Sequence, residues 1–138
     1  MPVVDASIVV DWVAPDAHPE GPAGRLLHRF AESGERLAAP RLLFEEVANA
    51  LLTGCRRGRW DGEAADAAYA RLRTLQLAAL DDVRDRDRAW ELSRRYDEHP
   101  VDDMVYVALA ERLGEQLFTA DETLRRRLSL LDFVVGPG

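Results

Sequence analysis

The chain predicts an α/β fold: a three-layer α/β/α sandwich around a short, mostly parallel central sheet. Two observations carry this. Short apolar runs at 2–5, 37–40, 116–120 and 133–135 alternate with helical stretches, and that alternation calls for parallel strands covered on both faces. One later helix, Met104 to Leu113, is apolar almost all round, as a helix buried on most sides is.

The elements follow in order. Pro2-Val3-Val4-Asp5 reads as a strand that delivers Asp5 to its C-terminal end. Ser7 is a good N-cap residue for a short helix over 8–13. Three prolines and a glycine between Ala14 and Pro22 allow only a loop. A helix over 22–33 follows, with Leu26, Leu27 and Phe30 inward and Gly34 as its stop. After the 37–40 strand, Leu43, Val47, Ala50 and Leu51 recur with helical period over 41–57. Asp61 caps a helix over 61–76, and Leu77 to Leu80 reads as a short strand. A charged helix over 85–97 ends at His99-Pro100. The apolar helix over 104–113 stops at Gly114, a strand runs into Asp121, a helix covers 122–130, and 133–135 is a last strand.

A length of 138 residues predicts a single domain, 1–138, large enough to bury a core. The longest apolar run, Met104 to Ala110, is far short of a membrane span, and no basic residue precedes the N-terminal apolar run as in a signal peptide. Cys55 is the one cysteine, which rules out an internal disulfide and fits a reducing cytoplasm. With His18, His28 and His99 scattered, no zinc spacing exists. The net charge of −7 argues against passive coating of nucleic acid. It is compatible with a nuclease whose bound cations supply the positive field.

Asp5, Glu46, Asp103 and Asp121 occupy positions that parallel topology brings to one edge of the sheet. Asp5 and Asp121 follow strands, Asp103 opens the apolar helix, and Glu46 lies on the apolar stripe of its helix. Clustered carboxylates repel and raise each other's pKa values unless a cation neutralises them. An all-oxygen donor set suits Mg²⁺ or Mn²⁺. One or two such ions suit in-line hydrolysis of a phosphodiester. Each Asp at a strand-to-helix junction is equally well placed as an N-cap, and Glu46 could be satisfied by an arginine.

These residues resemble the PIN-domain family, and within it the VapC-type toxins of bacterial toxin–antitoxin pairs. The resemblance rests on Val4-Asp5-Ala6-Ser7, on Pro40 followed by Glu46-Val47-Ala48-Asn49-Ala50-Leu51, on Asp103-Met104-Val105-Tyr106-Val107-Ala108-Leu109-Ala110, and on Thr119-Ala120-Asp121. It implies a Mg²⁺- or Mn²⁺-dependent endoribonuclease. Asp5, Glu46, Asp103 and Asp121 match the acidic quartet, Ser7 and Thr119 the supporting hydroxyls, and Asn49 a position near the site. It also implies a homodimer, or a heterotetramer or larger assembly, with a cognate VapB-type antitoxin. Operator DNA would be bound only through that antitoxin. Glu45 and Asp102 adjoin two of the acids. The Glu-x-x-Asn and Asp-x-x-Tyr spacings select Glu46 and Asp103, leaving Asp102 as a helix cap and Glu45 as a solvated neighbour.

Two other functions compete. A haloacid-dehalogenase-like phosphatase also places an Asp after its first strand, but needs an acid where Ser7 stands. A PIN-like domain could bind without catalysis, although four retained acids argue for metal chemistry. No glycine-rich loop with a lysine exists for a nucleotide phosphate. The arginines at 56, 57, 59 and 125–127 read as solvated helix faces, His18, His28 and His99 as surface residues, and Trp60 and Trp90 as core or interface. Trp12 reads as lying near the active end.

Overall fold

A computed structural model describes residues 1–138. Five parallel strands, β1 (Val3–Val4), β2 (Leu37–Ala39), β3 (Leu77–Ala79), β4 (Leu117–Phe118) and β5 (Val134–Val135), lie in the spatial order β3-β2-β1-β4-β5. Val3 pairs with Ala38 on one side and with Leu117 on the other, so the first strand becomes the middle one. Val3 and Val4 point to opposite faces, and both are fully buried. The sheet is therefore covered on both sides, as the α/β/α expectation requires.

Seven helices connect the strands: α1 (Ala6–Val13), α2 (Pro22–Ser33), α3 (Leu42–Arg56), α4 (Gly62–Thr74), α5 (Val83–Arg95), α6 (Val101–Leu113) and α7 (Glu122–Arg127). The chain steps outward from β1 through β2 to β3, then returns over the sheet to β4. Right-handed crossovers place α1 to α4 on one face and α5 to α7 on the other. The packing agrees, with α1 against α2, α3 and α4, and α5 against α6. Between β1 and β4 the direction of winding reverses. Outside the carboxyl ends of the strands, such a switch point is where open parallel sheets bind ligands.

The element ends refine the sequence reading. Helix α1 begins at Ala6, and its cap is Asp5, whose side chain accepts from the Ile8 amide. Ser7, expected as the cap, lies inside the first turn and turns its hydroxyl elsewhere. Both residue types cap well, and Asp5 wins because it already ends the strand. Helix α6 begins at Val101, three residues earlier than its apolar run, with Pro100 at the cap position. Asp102 is therefore not a cap; it and Asp103 both stand in the first turn. Asp61, Asp82 and Asp121 cap α4, α5 and α7.

The core runs through both layers. Ile8, Leu26, Leu43, Leu72, Leu92, Met104, Leu109 and Leu117 are almost completely buried. Phe30 of α2 stacks edge-on against Trp12 at 6.4 Å and against Phe118 of β4 at 5.3 Å. Trp12 is buried, with its indole N–H on the Ala23 carbonyl, at the end of α1 remote from Asp5. It is a core residue, and the active-end reading of it does not hold. Trp60 is half-buried and donates to the Leu51 carbonyl, while Trp90 is exposed. No helix is long and apolar enough to cross a membrane.

Candidate metal centre at the sheet switch point

Asp5 leaves β1 at the switch point, is 7% exposed, and its Oδ1 carries the α1 cap. The same oxygen accepts from Ser7 Oγ at 2.6 Å. Ser7 Oγ in turn accepts from the Ala120 amide and lies 3.3 Å from Thr119 Oγ1. Thr119, fully buried at the end of β4, accepts from the Asp121 amide. Two hydroxyls thus stitch β1 to β4 across the reversal, and both favour the ionised form of Asp5. Burial outweighs them and pushes the Asp5 carboxyl above the ordinary range, with the charge of Asp103 adding to the rise.

Glu46 comes from the second turn of α3 and is half-buried. Its Oε1 accepts from the Tyr106 hydroxyl of α6 at 2.6 Å. Burial raises its pKa most; the tyrosine bond opposes this, and the charges of Asp102, Asp103 and Asp5 reinforce it. Tyr106 is 2% exposed, and burial next to Glu46 keeps its phenol protonated far above its ordinary range, so it is a fixed donor. Asp103 lies beside them, with Oδ2 held at 2.6 Å by His99 Nε2. Carboxylate oxygens of Glu46, Asp102 and Asp103 all lie within 4.8 Å of one another.

The sequence-predicted residues are therefore placed unequally. Glu46 and Asp103 belong to the close group of carboxylates, and Asp5 stands outside that group of three but is coupled by charge to both. Asp121 stands on the same edge but is exposed, apart from the tight group, with Oδ1 given to the α7 cap. Asn49 is exposed one turn along α3. Glu45 is exposed and stands outside the group, whereas Asp102, also exposed, stands within it.

Sequence reasoning passed over three residues here. Tyr106 served only to set the Asp-x-x-Tyr register, yet it holds Glu46. His99 is not a surface residue: its side chain is 10% exposed and bonds Asp103. Arg127 is not merely solvated, since it bonds His99. The four-residue spacing of His99 and Asp103 was the available signal, masked by the intervening proline. Arg56 and Arg59 sit at the far end of α3 and bond Thr53 and Asp16.

The donor set fits a hard divalent cation. In Asp5, Glu46 and Asp103, one oxygen is fixed by a protein donor and the other has none. No arginine enters the group to neutralise it, and the nearest imidazole nitrogen is spent on Asp103. Oxygen ligands held in this way suit Mg²⁺ or Mn²⁺ rather than zinc.

The chain is thus an all-parallel α/β sandwich with carboxylates gathered at its switch point. The PIN domain family model matches residues 3–127, and the chain belongs to the PIN-domain family. That assignment displaces the phosphatase alternative. Several solved structures share the fold, among them these three. One is a toxin–antitoxin complex from Klebsiella pneumoniae, with TM-score 0.66 and 16% identity, covering 100% of this chain and 98% of the other. A protein from Pyrobaculum aerophilum gives TM-score 0.66 and 21% identity over 98% of this chain and 87% of its own. Mycobacterium tuberculosis VapC20, described as a sarcin-ricin loop cleaving toxin, gives TM-score 0.63 and 23% identity over 97% of each chain. No curated protein matches the chain.

Proposed function

We propose that this chain, as one PIN-like domain over 1–138, is a divalent-metal-dependent endoribonuclease acting in the cytoplasm as the toxin of a toxin–antitoxin pair. One observation carries the reading: Asp5, Glu46 and Asp103 converge at the switch point, each with one oxygen anchored and one left for a cation. Asp5, Glu46 and Asp103 would hold Mg²⁺ or Mn²⁺, with Asp102 beside them and Asp121 contributing from the rim. When bound, the ion supplies an activated water and neutralises charge developing on a phosphodiester. The chain's own groups prepare that site. Ser7 and Thr119 oppose the effect of burial on Asp5, Tyr106 orients Glu46, and Asn49 is exposed one turn further along α3.

The structural neighbours support the partner assignment. One is a toxin–antitoxin complex and another a sarcin-ricin loop cleaving toxin. A VapB-type antitoxin is thus the expected partner, with the toxin as a homodimer within a heterotetramer or larger assembly. Operator DNA is contacted only through the antitoxin.

The test is Asp5→Asn, which keeps the helix cap and the shape while removing the charge. Cleavage of a structured RNA by the wild type should require Mn²⁺ or Mg²⁺ and stop with EDTA. The variant should lose activity by about a hundred- to a thousandfold, the scale of single electrostatic contributions to catalysis. RNA binding without cleavage under every metal condition would replace this reading with that of a silent binding domain.

A further inference from the structure

The turn between α5 and α6 places two consecutive non-glycine residues, Asp97 (φ 58°) and Glu98 (φ 54°), in the left-handed region. Such conformations are strained for residues with side chains and persist where the surroundings impose them. The very next residue is His99, tucked under the first turn of α6 with its side chain 10% exposed. Its Nε2 lies 2.6 Å from Asp103 Oδ2, and its Nδ1 lies 2.8 Å from an Arg127 guanidinium nitrogen at the end of α7. Neither His99 nor Arg127 belongs to the group of carboxylates.

The chemistry of these three groups determines the direction of the bonds. A guanidinium has only donors. His99 Nδ1 must therefore present its lone pair to Arg127, and the ring's single proton sits on Nε2 and is donated to Asp103. An imidazole that accepts on one side and donates on the other passes the polarisation of the cation to the carboxylate without bringing a cation into the site. Asp103 Oδ2 is held by His99, and a carboxylate oxygen of Asp103 lies within 4.8 Å of oxygens of Glu46 and Asp102.

We infer that Arg127 and His99 form a positioning relay that presents Asp103 to a divalent cation, with Arg127 fixing the tautomer of His99. The inference rests on the metal-site reading of Asp103 given above, and deepens it by naming the residues that orient it. Outer partners of metal ligands typically influence affinity by about tenfold or more. A strained turn, a buried ring and an arginine from a different helix converge on one carboxylate oxygen.

Two measurements test it, neither of which requires RNA cleavage. In metal-free, ¹⁵N-labelled protein, two-bond proton–nitrogen correlation spectra should show His99 with its proton on Nε2, while exposed His18 shows averaged nitrogens. Arg127→Gln should release His99 to averaging. Averaged nitrogens for His99 in the wild type, or a proton on Nδ1, would overturn the relay. By calorimetry, His99→Phe and Arg127→Gln should weaken Mn²⁺ binding about tenfold, while His99→Gln, which keeps a donor and an acceptor, should largely restore it. Melting curves in EDTA establish that each variant is folded. If His99→Phe misfolds, Arg127→Gln carries the test. Unchanged Mn²⁺ affinity in a folded variant of a protein that still cleaves RNA overturns the relay alone. A wild type with the relay and Mn²⁺ binding intact but no cleavage of RNA upholds the relay and overturns the nuclease reading.

Discussion

Tyr106→Phe isolates the bond that holds Glu46. The phenol is 2% exposed, and its oxygen lies 2.6 Å from Glu46 Oε1. Phenylalanine fills nearly the same volume, so the perturbation is the loss of one hydrogen bond to a charged acceptor. Such bonds contribute about 1.5–3 kcal/mol. Glu46 is only half-buried and recovers some hydration, which puts the expected cost near the bottom of that range, about 1.5–2 kcal/mol near pH 7. For a chain of this size that corresponds to a fall in Tm of roughly 6–8 °C. The pH dependence carries the sign. The bond favours ionised Glu46, so its removal lifts a carboxyl already raised by burial still further. Below the folded-state pKa, Glu46 is protonated and the lost bond is neutral, worth about 1 kcal/mol or less. Urea unfolding of metal-free wild type and variant, near pH 7 and near pH 4, measures both limits. A cost below about 0.5 kcal/mol near pH 7, or a larger cost in acid than at neutrality, would refute the assignment of Tyr106 as the group holding ionised Glu46.

Three other outcomes rest on the same geometry. Asp5 and Glu46 have folded-state pKa values raised above their ordinary 3.8 and 4.5, so their contribution to stability is present below those values and lost as pH rises through the folded ones. Metal-free Asp5→Asn should therefore melt with the wild type near pH 4 and above it near pH 7, and a lower melting point at neutrality would contradict this. Asp85 is 4% exposed and paired at 2.7 and 2.9 Å with Arg112 across α5 and α6, so Asp85→Asn should cost about 3 kcal/mol in urea unfolding, with no change judged a failure. A Cβ at Gly54 would lie 2.0 Å from the indole of Trp60, which is pinned by its bond to Leu51. Gly54→Ala should lower stability by about 1–3 kcal/mol despite alanine's better helix propensity, and a gain in stability would show that Trp60 is free to move.

The periodicity that marks α2, α3 and α4, and the apolar runs that become β1, β2 and β4, are local properties, and they were legible residue by residue. So was the arrival of Asp5, Glu46 and Asp103 at one edge, because parallel topology dictates it. What stayed hidden depends on contacts between distant segments. Asp5 and Ser7 are both good caps; Asp5 takes the cap as the end of β1, and the Ser7 hydroxyl goes instead to Asp5, Thr119 and the Ala120 amide. Pro100 masked the true start of α6, which moved Asp102 from a cap into the group of acids. The burial of His99 is set by α6 and α7 together, and that of Asp85 by its pairing with Arg112; neither has a signature in its immediate neighbours. Asp121 reaches the edge, yet it caps α7 and stands outside the closest group, which spacing does not encode.

The position of β1 in the middle of the sheet also sets a sequence of events in time. Asp5 is made well before its supports: Tyr106 through Glu46, then Thr119 and the Ala120 amide through Ser7, more than a hundred residues downstream. Synthesis proceeds from the N-terminus at about 5–20 residues per second, and long-range pairings form slowly. A growing chain thus carries its first acid for several seconds with nothing to complete the centre. Such a topology works as a delay: the acidic centre is assembled only once the segment carrying Thr119 and Ala120 has been made.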